Sequence, residues 1–502
     1  MIKNQYNDKI NLNYLIILSI LIHLISINFH PTNFEGGYGQ YSDLFNEDNK
    51  ILYLKSYYSS QFNTYAFSAL GSLLNFFVPF VDGFQSIKIL STMSYIFLGL
   101  GLFNILIFYG FKFKPITFIS IIFFNCIIFS YGFRAFNDLF AFSLGIFAFS
   151  RILSFQKNKL LWFDSLLLGV SMVIKSYNLI LLIPLVIFFY SRINLFKINK
   201  IIISIVIILL PIIFFNIFTY NTLGFVLAPS NEDLEIAIIG NDKNRDFFWV
   251  INNFIFYIGY LTLICFPFII ISLISYIKKQ TKKILYSLLI LFFLSFYIQK
   301  YFFIASELDL GPVQNYINEK FYKTVIIFLF FLFVYYVYFF FKFERLNKKQ
   351  FNICITIIIS VLIYLFVLSF IKAAQRYLIL PLPFLYLLIF NKQQPQILIL
   401  VTLFIYMIIN SLLLGNYYIV GKSTKIIMDY LKINQIVENT IPGVITPHVY
   451  HLNNKKNILN EKKLTSDSSR YRITYFNENS IFSSRINFLG YEIKKYSVVK
   501  IK

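Results

Sequence analysis

Long apolar runs broken by short polar stretches set the pattern of this chain. A run of about 17–25 apolar residues can cross a bilayer as a helix. Thirteen segments are predicted to do so, at 12–29, 87–109, 115–131, 137–153, 160–175, 177–190, 201–220, 250–276, 284–299, 323–342, 352–371, 377–390 and 396–415. The segments 160–175 and 177–190 are short and closely joined. Residues 64–80 are apolar but hold Ser, Asn and Pro, which suits an interfacial or re-entrant helix. The tail changes character. "STKIIMDYLKINQIVENTI" predicts a helix, and "PGVITPHVY", "RYRITYFN" and "YEIKKYSVVKI" alternate like short strands. The expected fold is an all-α polytopic transmembrane bundle of about 13 helices over residues 1–415, followed by a small α/β module over 416–502.

The polar interruptions predict orientation. With the N-terminus in the cytoplasm, the inner loops are "GFKFK", "FQKNK", "SRINLFKINK", "YIKKQTKK", "KFERLNKKQ" and "NKQQPQ". They are short and nearly all basic, as the positive-inside rule requires. The other loops, 30–86, 221–249 and 300–322, are longer and mixed in charge, as is the tail. The bundle is therefore read as N-in and C-out, with the C-terminal module extracytoplasmic. Lys3 and Lys9 precede the first apolar run, but no A-x-A-like cleavage site follows, so that run reads as an uncleaved helix.

Composition agrees. The chain has 502 residues, 58% of them hydrophobic and 14% charged, with a mean hydropathy of +0.68. A water-soluble domain cannot hide that much apolar surface. The net charge of +22 could suggest nucleic acid, but the six short inner loops alone hold 16 of the 45 cations against one acid, a bias that membrane topology explains, so no nucleic-acid partner is expected. Ile, Leu, Phe, Asn, Lys and Tyr are abundant throughout, so the 20% aromatic content is not a ligand signal. Cys126, Cys265 and Cys354 all lie in apolar segments and form neither a disulfide framework nor a metal spacing.

Candidate chemistry gathers on the outer side. The loop "HPTNFEGGYGQYSDLFNEDNK" follows the first helix, and Gly36 and Gly37 permit a tight turn beside Glu35. A carboxylate held there could act as a general base; the same residues also suit a solvated turn. Asp43 is a second candidate, whereas Glu47 and Asp48 suit the polar face of a surface helix. In "FSYGFRAFNDLFAFSLGIFAF", Arg134 and Asp138 stand four apart at an outer helix mouth, either as a functional pair or as an i,i+4 cap. In "IKAAQRYLILPLPFLYLLIF", Lys372 and Arg376 lie at an outer interface before Pro381 and Pro383. The forked guanidinium of Arg376 suits a phosphate, whereas Lys372 suits snorkelling. Lys175 is a weaker outer cation, and Arg151 fits snorkelling at an inner end. His23 fits a packed, hydrogen-bonded site, and His448 and His451 lack companions for a metal set.

These stretches resemble the polytopic GT-C glycosyltransferases, the class that includes dolichyl-phosphate-mannose-type and ArnT-like enzymes. "FEGGY" is similar to an Asp-Glu-x-x-Tyr signature in the first outer loop. "GFRAFNDLFAFSLGIFAF" resembles a segment in which an Arg and an acid open a long helix, and "QRYLILPLPFLYLLI" resembles a Glu-Arg-Tyr-Leu-Leu-Pro-x-x-Pro segment. Phe34 and Gln375 depart from the acids common at those places, so either Glu35 serves alone, assisted by Asp43 or Asp138, or the activity is altered.

The resemblance implies transfer of a sugar from a polyprenyl-phosphate donor to a lipid, glycan or protein acceptor at the outer face of the plasma (inner) membrane. It assigns catalytic roles to Glu35, Asp43 and Asp138, and substrate contacts to Tyr38, Arg134, Lys372, Arg376 and Tyr377. Members of the class differ in their use of a divalent cation, and no cluster here demands one. The competing readings are a polytopic transporter or lipid-carrier flippase, and a non-catalytic partner in polysaccharide assembly.

Overall fold

The computed structural model describes residues 12–27, 29, 62–78, 81–109, 115–134, 136–153, 161–191, 198–223, 247–277, 281–305, 308, 317–343, 348–370, 374–390, 395–436, 440–441, 471–488 and 490–500. Sixteen α-helices and a four-stranded sheet occupy them. Each of the thirteen apolar segments contains helix. Six helices are long and apolar enough to cross a bilayer, or seven if one bent pair counts as a single span. The protein is thus a multi-pass membrane protein. The other segments are shorter or broken, and the breaks are informative.

The segment expected as one span at 115–131 is two helices, Pro115–Phe124 and Cys126–Phe133, bent by 70° at Asn125. Asn125 is fully buried. Its side chain accepts from the Ile127 amide, capping the second helix, and donates to the hydroxyls of Tyr386 and Tyr406 at 3.2 and 3.3 Å. The Phe124 carbonyl accepts from Asn410 at 2.8 Å. A second break, at Cys265, splits 250–276 into Phe247–Ile264 and Phe266–Ile277, and the Ile264 carbonyl accepts from Tyr406. Backbone groups freed inside hydrocarbon need partners, and one knot of side chains serves both breaks. Asn125→Ala is expected to lower stability by roughly 1–3 kcal/mol, with Asn125→Ser recovering part of it through its capping oxygen; thermal unfolding in detergent measures both.

Small residues let helices approach elsewhere. A Cβ on Gly169 would stand 2.2 Å from the Ile208 carbonyl oxygen, and one on Gly259 2.3 Å from that of Ile326. Neither backbone can yield, so an alanine at either position forces the helices apart.

Phe62–Phe77, the stretch expected to be interfacial or re-entrant, is a helix that buries Ala66 and Phe67 with Ile87, Phe140 and Ile174. The last span does not stop at 415. It runs on as one helix, Gln396–Ile433, about 57 Å long at 1.5 Å per residue. Its first half exposes Ile397, Leu400, Phe404 and Leu412, as a lipid-facing helix does, and its last turns bury Ile427, Met428 and Leu431 under the sheet.

The sheet has the order β1-β2-β4-β3, with β1 (Thr440–Ile441) parallel to β2 (Tyr471–Tyr475) and β4 (Tyr491–Lys500) antiparallel to both β2 and β3 (Phe482–Phe488). Gly490, at φ +85°, turns β3 into β4. Two predicted strands coincide with β2 and β4, "PGVITPHVY" lies outside the described residues, and β3 went unpredicted because the inward position between Phe482 and Ile486 is a serine. That Ser484 is buried and bonds the Tyr496 amide and carbonyl at 3.1 and 3.2 Å. Burial and the neighbouring Tyr475 push the Tyr496 hydroxyl up to about 12, so it stays neutral beneath the sheet.

Candidate active site

Three helix interruptions build one polar region. Arg134 ends Cys126–Phe133 in extended backbone, φ −90° and ψ 154°, before Asn137–Leu153 begins. Lys175 and Ala374 are also extended, and each leads into a 3-10 turn, Ser176–Leu181 and Gln375–Ile379. Pro381 then opens the following helix, where its missing N–H costs nothing. Extended backbone at these points turns side chains inward that an unbroken span would spread around its axis.

Asp138 is 5% exposed and its Oδ1 lies 2.9 Å from Lys175 Nζ. Its Oδ2 is buried with no hydrogen-bond partner among the described residues. Lys175 also lies over the Tyr177 ring at 5.4 Å. Tyr177 donates to the Tyr377 hydroxyl at 3.1 Å, the rings meeting edge to face, and Arg376 stands 5.3 Å from the Tyr377 ring. Tyr364 donates to the Tyr377 carbonyl at 3.0 Å, which fixes the turn. Arg134 donates to the Tyr417 hydroxyl at 2.9 Å and sits between the rings of Phe136 and Tyr417, at 4.6 and 4.5 Å. Its carbonyl accepts from Ser91 at 2.6 Å. The helices Cys126–Phe133 and Asn137–Leu153 both pack against the Gln375–Ile379 turn, which joins the two halves of the region.

The reading of Arg134 and Asp138 as an i,i+4 cap is corrected. Arg134 stands in extended backbone between two helices and Asp138 in the first turn of the second, so no helical register connects them; the carboxylate pairs with Lys175. Lys175, weakly marked in the sequence, is the central cation of this half. Arg151 does not simply snorkel: its guanidinium meets Asp164 at 2.5 Å. His23 is within 3.4 Å of the Thr92 hydroxyl, as a packed histidine should be.

Glu35, Tyr38, Asp43 and Lys372 lie outside the described residues, as do Glu47, Asp48, His448 and His451. The point where their loop begins is described. Phe29 packs on Phe133 and Tyr418, at 5.5 and 6.4 Å, beside Arg134 and Tyr417. Lys88, only 2% exposed, donates to the carbonyls of Ser26 and Phe29 at 2.6 and 2.7 Å. Ser26 in turn donates to the Phe133 carbonyl at 2.5 Å. The sequence reading passed over Lys88 inside the apolar run 87–109, although a lysine there is itself a signal. Tyr177 and Tyr417 had no signal above the aromatic background. Among the described residues no group of three or more His, Cys, Asp or Glu side chains is placed to hold a metal.

Chemically, this region offers an anion two guanidinium groups and an ammonium, a buried carboxylate oxygen as acceptor, and several phenols. No family model and no curated protein matches the chain. Two solved structures are similar along it. One is ArnT from Cupriavidus metallidurans in the apo state, 9% identical, with 97% of each chain covered and a TM-score of 0.44. The other is the same protein bound to undecaprenyl phosphate, 8% identical, with 97% of each chain covered and a TM-score of 0.43.

Proposed function

We propose that this protein is a membrane glycosyltransferase that moves a sugar from a polyprenyl-phosphate donor to a lipid, glycan or protein acceptor at the non-cytoplasmic face of the plasma (inner) membrane. The observation that carries the reading is the gathering of Arg134, Asp138, Lys175 and Arg376 where three helices are interrupted, beside the root of the outer loop. Asp138 and Lys175 pair with each other, but the two guanidinium groups so close to hydrocarbon are costly unless an anion meets them. A lipid-borne phosphate is such an anion, because its tail stays in the bilayer while its headgroup reaches the cations. The sequence expectation of thirteen crossings with the N-terminus inside supports this reading, since that topology would put this end of the bundle outside.

In this reading Glu35, or Asp43 in its place, takes the proton of the acceptor hydroxyl or amine. The acceptor atom forms its bond to the anomeric carbon as the bond from that carbon to phosphate breaks. The electron pair leaves with the polyprenyl phosphate, whose growing charge is met by Arg134 and Arg376, with Lys372 as a further candidate cation. Asp138 holds Lys175 in place and uses its second oxygen to receive a sugar hydroxyl. Tyr38 and Tyr377 line the headgroup.

The test is transfer of labelled sugar from synthetic polyprenyl-phosphate donors in proteoliposomes. Arg376→Ala is expected to lower turnover by about 10²-fold, and Arg376→Lys, which keeps the charge but loses the fork, by about tenfold. Wild-type protein that neither binds nor cleaves any such donor would overturn the reading. The flippase alternative has the two mid-bundle breaks in its favour, but Asn125, Tyr386 and Tyr406 fill them as one packed knot.

A further inference from the structure

The sheet and the last turns of the Gln396–Ile433 helix enclose a cleft of about 600 Å³, the size of a small-ligand site. Ile426, Phe476 and Phe482 supply its apolar lining, and Phe482 is held flat against Tyr430 with ring centres 4.0 Å apart. The polar lining includes Ser480 and Ser483, whose hydroxyls are linked at 2.8 Å and continue to Ser497 at 2.8 Å. Glu478 lines the cleft as well.

The cations decide what fits. Arg485 and Lys494 both face the cleft, and they are direct partners across the β3–β4 ladder. Like charges in that position repel and weaken a sheet. The ladder shifts register between Ser483 and Arg485, so the pairing sits at a bulge, a device that re-aims side chains. Glu492 lies 3.6 Å from Lys494, and although Glu478 also lines the cleft, no carboxylate among the described residues is in ion-pair contact with Arg485. An anion between the two cations would relieve the repulsion, with the serine row and Glu478 left to meet hydroxyl groups and Phe476 and Phe482 left to meet flat C–H surfaces.

We propose that this cleft binds an anionic saccharide: the part of a glycan acceptor, bearing carboxylate groups, that lies away from the reacting group. The binding claim stands on the cleft alone; naming the ligand an acceptor rests on the transferase reading. Ile426 lies nine residues beyond Tyr417 on one helix, which places the cleft about 14 Å further along the axis and half a turn round. A lipid donor anchored in the bilayer has no reason to reach there, whereas a long acceptor does, and a remote grip can supply binding energy that orients the reacting end.

The experiment uses the full chain in phosphatidylcholine nanodiscs, titrated calorimetrically with a galacturonic-acid oligosaccharide and with a neutral glucan of equal length. The charged oligosaccharide is expected to bind at least tenfold more tightly. Arg485→Ala and Lys494→Ala should each weaken it by about tenfold, and Ser483→Ala by less. Each single charge removal should also raise the unfolding temperature of the ligand-free protein slightly, which loss of a structural contact would not do. Equal binding by wild type and the double charge variant overturns the proposal, as does no binding of either oligosaccharide. Glycerol phosphate competing as well as the oligosaccharide would assign the cations to lipid headgroups and overturn it too. Donor cleavage in the same nanodiscs keeps the two ideas apart. Normal cleavage without saccharide binding removes the cleft alone, whereas binding without cleavage keeps the cleft and removes the transferase.

Discussion

Glu35→Gln is expected to lower sugar transfer by 10²–10⁴-fold, the usual range for loss of a general base, while donor affinity changes little. The amide has the shape of the carboxylate and still accepts a hydrogen bond, but it cannot take the acceptor's proton. The geometry behind the choice is a tether. Phe29 is fixed against Phe133 and Tyr418, and Lys88 grips its carbonyl, so the loop starts beside Arg134. Glu35 is six residues further on in the sequence, and six residues of fully extended chain span at most about 21 Å, which sets an upper limit on its distance from Phe29. Asp43 has a far longer tether and is correspondingly less constrained. The two candidates separate in single-turnover measurements with a pre-bound donor. If Glu35 is the base, Asp43→Asn costs less than tenfold; if Asp43→Asn abolishes transfer while Glu35→Gln leaves it intact, the roles are exchanged. Lys88→Met gives an independent check. It removes the clamp on the loop root and leaves the site's own charges in place, so it should lower turnover without matching the loss in Glu35→Gln.

How much of this was legible in the sequence depends on which physical signal each feature leaves. Apolar runs predict helices because lipid demands them, and the helix at 137–153 appears with its predicted bounds. The break at Asn125 left no such mark, whereas the one at Cys265 did: Pro267, in the first turn of Phe266–Ile277, was a signal that the sequence reading passed over. A single polar side chain inside an apolar run looks the same whether it is packed in an intact helix or caps a broken one, and the partners that decide, Tyr386, Tyr406 and Asn410, lie more than a hundred residues away. The continuation of the last span to Ile433 was hidden for a different reason: the change from apolar to polar composition at 415 marks where the helix changes its surroundings, not where it ends. Within the candidate site, Arg134, Asp138, Arg376 and Tyr377 stood out as charges, or their neighbours, at the ends of apolar runs, but their pairing did not. The spacing of Arg134 and Asp138 suggested a local pair, whereas the fold gives Asp138 a partner 37 residues on and gives Arg134 the phenol of Tyr417. Long-range ion pairs among many short-range alternatives are what a one-dimensional pattern resolves least.

That ion pair carries the second large effect. Asp138→Leu is expected to destabilise the protein by about 3–5 kcal/mol, because Lys175 is left as an uncompensated ammonium in a site where its side chain is 13% exposed. The double variant Asp138→Leu/Lys175→Met should recover most of that loss, since two apolar side chains of similar size replace both charges and neither ion then needs solvation. Stability and activity should part at this point. If the pair served only to hold the Leu161–Ile174 helix end against Asn137–Leu153, the double variant would regain transfer along with stability. The orphaned Oδ2 of Asp138 argues otherwise: a buried carboxylate oxygen without a partner costs energy that a packed structural ion pair has no reason to bear. The double variant should therefore unfold near the wild-type temperature and transfer sugar at least 10²-fold more slowly, with Asp138→Asn intermediate in stability. Equal instability of the single and double variants would mean that the buried ammonium is not the cause, and that Lys175 finds water or a lipid phosphate once its carboxylate is gone.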